Sequence, residues 1–242
     1  MKSPMKRLRD GALLLAAASV AAQAVADANC RAVSGAVAPT VVELYTSEGC
    51  DSCPAADRWL ASLGGKPGVV RLAFHVDYWD RLGWKDRFAD AAYTRRQYEV
   101  SAKSGARFAY TPQVIVDGNE YRAWPTLPPH TARAAGVTLT LSQDGDAVVA
   151  QLVRGPGAPQ HLAAYWAVTE DGHVSDVKAG ENRGATLHHD AVVREYLPVA
   201  SIDGSAPLRF EPRPAQDTTK PRHVLLVVTD ADSGKPIQAA GC

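Results

Sequence analysis

The chain has 242 residues, 26 lysines and arginines against 26 aspartates and glutamates, and an apolar content of 46%. This is a globular composition, long enough for one large domain or two of about 100 to 200 residues each. A formal charge of zero without basic clusters excludes the electrostatic footprint of a nucleic-acid binder or of an anionic-membrane binder.

Residues 1–26 carry Lys2, Lys6, Arg7 and Arg9, then an alanine- and leucine-rich stretch from Gly11 to Val25, then the small-x-small pattern Ala24-Val25-Ala26. The pattern is that of a secretory signal peptide. Its removal takes four basic side chains and one acid from 26 of each and leaves a mature charge of −3. No later segment approaches the roughly 18 uninterrupted apolar residues of a membrane span, so the exported chain is expected to be free of one and to be periplasmic or secreted. Export also permits disulfides to persist. Cys30 follows Asp27-Ala28-Asn29, which lacks the small apolar residues of a lipid-attachment site.

From residue 38 to 136 the texture is that of alternating strands and helices. A buried strand is predicted over 41–45, a helix over 54–63 with Ala55, Trp59 and Leu63 at helical spacing, a second strand over 69–76, and a helix over 87–102 closed by Gly105. Residues 111–121 read as a strand, a tight turn at Asp117-Gly118 and a further strand. Three prolines between Trp124 and His130 mark a boundary, followed by a short helix over 131–135. Beyond it, apolar or alternating runs over 137–141, 147–153, 161–169, 188–196, 208–210 and 223–229 predict antiparallel strands. The expected architecture is an α/β domain over 38–136 followed by a β-sandwich over 137–242.

The chemistry centres on Cys50 and Cys53, set in Tyr45-Thr46-Ser47-Glu48-Gly49-Cys50-Asp51-Ser52-Cys53-Pro54 between the first strand and the first helix. Two intervening residues let the sulfurs meet with little backbone movement, and a helix N-terminus favours a thiolate. Cys50, nearer the helix opening, is the expected attacking thiol and Cys53 the resolving one. Three readings stay open: thiol-disulfide exchange, a structural bridge, and a metal site. Glu48, Asp51 and Asp57 surround the pair with negative charge and the first cation is Arg58. Like charge disfavours a thiolate, which places the couple nearer about −270 mV than about −120 mV. Glu43 on the first strand is a candidate proton acceptor, although strand alternation also allows it the other face. His75, ending the second strand beside Asp77, is a second proton-transfer candidate. Cys30 and Cys242 are the remaining possible pair, and the spacing leaves their bonding open.

The run from Tyr45 to Cys53, the helix after it and Thr111-Pro112 before a strand resemble the thioredoxin and glutaredoxin superfamily. That resemblance implies a thioredoxin-like fold for the first domain. It also implies a cis-proline at Pro112 that packs against the dithiol and contacts the substrate chain, with Thr111 and Gly49 bordering the same contact. More specifically, Glu43 to Asp57, His75 to Trp84, Thr111 to Gly118 and Gly180-Glu181-Asn182-Arg183-Gly184 are similar to an exported bacterial family described only as a domain of unknown function, DUF1223. Gly49 stands where active thioredoxins carry tryptophan, and Asp51-Ser52 replaces Gly-Pro.

The expected activity is therefore that of an exported thiol-disulfide oxidoreductase acting on a protein thiol or disulfide through a mixed disulfide, with no cofactor and no metal assigned. Cu(I) delivery is the competing reading. It is weakened because both methionines, Met1 and Met5, leave with the signal, and thioethers are natural copper ligands. A non-catalytic interaction module with a structural bridge is the third. Tyr78, Trp79 and Trp84 read as core or groove wall. His188 and His189 alternate along a strand and therefore serve one ion poorly. Gly180 to Gly184 reads as a structured turn. No phosphate loop, nucleophile elbow or paired-histidine zinc motif is present.

Overall fold

The computed structural model describes residues 30–129 and 131–242. The expected signal peptide over 1–26 lies outside the described residues. In chain order the elements are β1 (Arg31–Val33), β2 (Thr40–Thr46), α1 (Cys53–Ser62), β3 (Val69–His75), a 3-10 turn (Asp80–Leu82), α2 (Ala91–Ser104), β4 (Gln113–Val116) and β5 (Asn119–Glu120). There follow β6 (Val137–Asp144), β7 (Ala147–Arg154), β8 (Leu162–Glu170), β9 (His173–Asp176), β10 (Thr186–His189), β11 (Val192–Ile202), β12 (Leu208–Phe210), β13 (Arg222–Asp230) and β14 (Pro236–Gly241).

This corrects the expected fold class. Fourteen strands stand against two α-helices among the described residues, and a thioredoxin-like α/β domain followed by a separate sandwich is not what they build. One eight-stranded sheet runs β14-β13-β8-β11-β3-β2-β4-β5, so strands from both halves of the chain share a single hydrogen-bonded ladder. The junction is β11 lying parallel to β3, with Val192 opposite Ala73 and the Ala73 amide donating to the Ala191 carbonyl at 2.8 Å. A four-stranded sheet, β1-β6-β7-β12, and a small two-stranded sheet, β10-β9, complete the layers.

Alternation decides what each face of the long sheet buries. Val42, Leu44 and Ala73 pack with Ala56, Trp59 and Leu60 of α1, whereas Val41, Tyr45, Leu72 and Phe74 pack with Tyr93 of α2. In β8, Trp166 and Val168 meet Leu139, Leu141 and Ala150 of the four-stranded sheet, and Tyr165 and Ala167 join the α2 side. Helix α2 begins four residues later than predicted because the Asp90 side chain caps it, accepting from the Ala92 amide at 2.7 Å, and Gly105 ends it with φ +79°. The short helix expected over 131–135 does not form. Its backbone pairs instead with residues 36–38, through Ala38 N to Arg133 O and Ala135 N to Ala36 O, both at 2.9 Å. Cys30 and Cys242 are disulfide-bonded with Cα atoms 5.3 Å apart. Among the described residues no helix is long and apolar enough to cross a membrane.

Candidate dithiol site

Strand β2 is buried along its whole length and delivers the segment Ser47 to Ser52 to the start of α1. Pro54 occupies the first turn of the helix, where its missing amide hydrogen leaves no bond unmade. The turn is closed by Cys50 N to Ser47 O at 3.2 Å, Cys53 N to Cys50 O at 3.3 Å and Gly49 N to Ser47 Oγ at 3.1 Å. Cys50 and Cys53 are joined as a disulfide with Cα atoms 5.4 Å apart, and Ser52 Oγ lies 3.5 Å from Cys50 Sγ. Exposure of the two cysteines is 1% and 0%, so the bond is sealed from solvent in this conformation.

Pro112 follows a cis peptide bond and precedes β4, which pairs antiparallel with β2 so that Tyr45 faces Gln113. One further step of that register sets Pro112 opposite Thr46, at the end of the sheet that carries the dithiol loop. Thr111 Oγ1 accepts from the Trp79 indole at 2.7 Å, and a Cβ on Gly49 would come within 3.0 Å of Trp79 Cβ. Gly49, Trp79 and Thr111 thus form one continuous edge beside the disulfide. A side chain at position 49 would be tight against Trp79, which would have to give by a few tenths of an ångström.

Glu43 is elsewhere. Alternation turns it to the α2 side, where Tyr45 and Tyr165 hydroxyls donate to it at 2.8 and 2.7 Å and Arg96 pairs with it. Its expected part in proton transfer at the dithiol is overturned by that placement. His75, on the same strand face as Ala73, is on the α1 side and enters a buried polar cluster behind the dithiol loop. Its Nδ1 lies 2.7 Å from Asp86 Oδ2, which also accepts from the Glu48 amide at 2.9 Å. Glu48 in turn accepts from the Trp84 indole at 2.7 Å and stands 3.3 Å from His189 Nε2, at ion-pair distance but off hydrogen-bond geometry. The rings of His75 and His189 meet edge to face at 5.0 Å. Asp57, one helical turn beyond Cys53, accepts from Thr46 Oγ1 at 3.2 Å.

The charges in this cluster are tuned by contact. Burial disfavours the His75 imidazolium, yet the Asp86 carboxylate beside it outweighs that and holds His75 above its usual value. Burial likewise opposes ionised Asp86, and the His75 cation overrides it, so Asp86 is held low. Glu48 is also held low: burial acts against it, but His189, Ser175 and Trp84 around it prevail. Asp57 differs. Burial pushes its carboxyl up despite the pull of His75 and His189. The sequence placed Glu48, Asp51 and Asp57 around the thiols as bare negative charge, whereas the fold brings two histidines among them.

The His75–Asp86 pair has a pH signature. The depressed Asp86 contributes stability above the ordinary carboxyl value and loses it as pH falls through its lowered one. The raised His75 contributes fully below the ordinary imidazole value and loses it as pH rises through its raised one. Melting temperatures of wild type and Asp86→Asn are therefore expected to differ most between about pH 4 and pH 6.5, with the gap shrinking on both sides. A gap independent of pH would refute the pair.

Residues 41–229 match the family model described as "Protein of unknown function (DUF1223)". The chain belongs to this family. Among solved structures, it resembles protein AGR_C_4864 from Agrobacterium tumefaciens, with a TM-score of 0.60 and 28% identity over 85% of this chain and 94% of that one. It also resembles HBP35 of Porphyromonas gingivalis, with a TM-score of 0.60 and 16% identity over 86% of this chain and 76% of that one, a likeness of fold alone. No curated protein matches the sequence. For this DUF1223 member the sequence pointed to Cys50, Cys53 and His75. It named Gly180 to Gly184 only as a structured turn and did not single out Asp86 or the pairing of His189 with Glu48, because these come from loops and strands distant in the chain. The one available signal for His189 was alternation in β10, which buries it and exposes His188.

Proposed function

We propose that the protein is an exported thiol-disulfide oxidoreductase whose working pair is Cys50 and Cys53. The observation that carries the reading is a closed disulfide at the opening of α1 with a buried carboxyl, Asp57, one helical turn beyond Cys53 and its pKa raised by burial. In the reduced protein the Cys50 thiolate attacks a sulfur of a partner disulfide. A Cys50–partner bond forms as the partner bond breaks, and the first partner sulfur leaves as a thiolate. Asp57, as carboxylate, accepts the Cys53 proton. The Cys53 thiolate then attacks Cys50 Sγ, restoring the internal bond and releasing the second partner thiolate. Two electrons pass to the partner, and the reverse sequence oxidises a partner dithiol.

Turnover of insulin reduction by dithiothreitol tests the reading. Wild type is expected to accelerate it and Cys50→Ser to abolish the acceleration, while Cys53→Ser accumulates a mixed disulfide on Cys50 that dithiothreitol reverses. Wild type no faster than dithiothreitol alone, with no adduct on Cys53→Ser, would leave a structural bridge. That second reading is favoured by the complete burial of both sulfurs.

A further inference from the structure

A hairpin from the far half of the chain lies on the loop that carries the disulfide. Strands β9 and β10 form a two-stranded sheet of their own, joined to the rest through Gly172 and Ala191, both in left-handed backbone conformation at φ +73° and +55°. These two residues are tied crosswise: the Gly172 amide donates to Asp190 Oδ1 at 2.7 Å and the Ala191 amide to Asp171 Oδ1 at 2.6 Å. The root is therefore fixed, and the arm runs from it alongside α1. At its tip the chain turns through Gly180 and Gly184, with Gly184 N to Val177 O at 2.8 Å and Ala185 N to Asn182 O at 3.0 Å.

The tip lies on the dithiol loop. Asn182 Nδ2 donates to the Glu48 carbonyl at 2.9 Å and to the Cys50 carbonyl at 2.8 Å, and Glu181 Oε2 accepts from the Asp51 amide at 3.1 Å. A Cβ on Gly180 would stand in ordinary contact with Trp84 Cβ at 3.5 Å and Gly49 Cα at 4.0 Å, which places the tip against the loop. The tip is held by polar bonds, whereas toward the root the arm is packed, with Val177 and Leu187 buried and the Phe88 ring 4.9 and 5.6 Å from those of His173 and His189. Polar seams separate more readily than apolar ones, since water replaces each bond on opening.

We propose that hairpin β9–β10 gates the dithiol, with Asn182 as its latch, and that a thiol reaches Cys50 only when the Glu181-Asn182 turn lifts. Lifting the tip uncovers the loop at Cys50, while His189, paired with His173 beside the fixed root, stays against Glu48. Asn182 therefore decides which thiols and disulfides gain access, a role in specificity that rests on the exchange reading above.

The test is the rate at which dithiothreitol reduces the Cys50–Cys53 bond, read by rapid alkylation and mass spectrometry. Asn182→Ala loses both latch bonds and is expected to be reduced about tenfold faster than wild type. Glu181→Gln, which keeps the tip's shape, and Asn182→Asp, which sets a carboxylate against two carbonyls, are each expected to accelerate it too, so the result does not depend on one variant folding. Rates within twofold of wild type in all correctly folded variants would overturn the gate. Faster reduction without insulin turnover in wild type would keep the gate and remove the exchange reading, so the two failures are told apart.

Discussion

Replacing Cys30 and Cys242 together by alanine is expected to lower the unfolding free energy by about 5 kcal/mol, the chain-entropy value for so long a loop. The bridge spans 212 residues of sequence. It also joins two layers: Cys30 precedes β1 on the four-stranded sheet, and Cys242 follows β14 at the edge of the eight-stranded one. Both ends are already held by hydrogen bonds, Cys30 O accepting from Gln143 N at 2.8 Å and Cys242 pairing with Val224 through bonds of 2.7 and 3.0 Å. The native state thus needs little from the bond, and its effect falls on the unfolded chain. Denaturant unfolding of the double variant is expected to show the loss at an increased m-value, since the uncrosslinked chain expands further. A loss below about 1 kcal/mol would mean that the unfolded ensemble is compact without the bridge.

The second large effect is expected at Glu43 and Arg96. Their ion pair is buried between β2 and α2, with the guanidinium 4.1 Å from the Tyr165 ring centroid and 5.0 and 5.2 Å from those of Tyr196 and Phe74. Removing one partner strands the other charge in a site walled by aromatic rings, which costs about 3 to 5 kcal/mol. Glu43→Gln and Arg96→Met are each expected to fall in that range. The double variant is expected to cost less than their sum, because it leaves no orphaned charge. Strict additivity in denaturant melts would show that the two do not act as a pair. Because Glu43 lies on the α2 side, Glu43→Gln is also expected to leave dithiol exchange unchanged, the opposite of a proton-acceptor role at Cys53.

Glu43 illustrates where the sequence stopped being legible. Period-two alternation was readable, and the β2-loop-α1 unit appears within one residue of its expected bounds. Whether a given face carried the dithiol depended on which side α1 packs, a tertiary choice. The second half of the chain misled for a different reason. Its strands were visible as alternating runs, yet nothing local states that β11 hydrogen-bonds to β3, so a free-standing sandwich was expected where one long sheet exists. The run over 188–196 was read as a single strand, but Ala191 at φ +55° breaks it into β10 and β11. A non-glycine residue in that conformation has no sequence signature. The cluster around His75 was hidden for the plainest reason: Asp86 and His189 converge on it from positions 11 and 114 residues further along the chain.

The bridge between Cys30 and Cys242 makes residues 30 to 242 a covalent ring. A single nick in any surface loop, such as the proline-containing stretch from Trp124 to Pro129, opens the ring but sheds no fragment. Both pieces stay attached, and the long sheet that draws strands from each keeps them in register. Two cuts, or one cut and a reductant, are required before any part of residues 30 to 242 can leave.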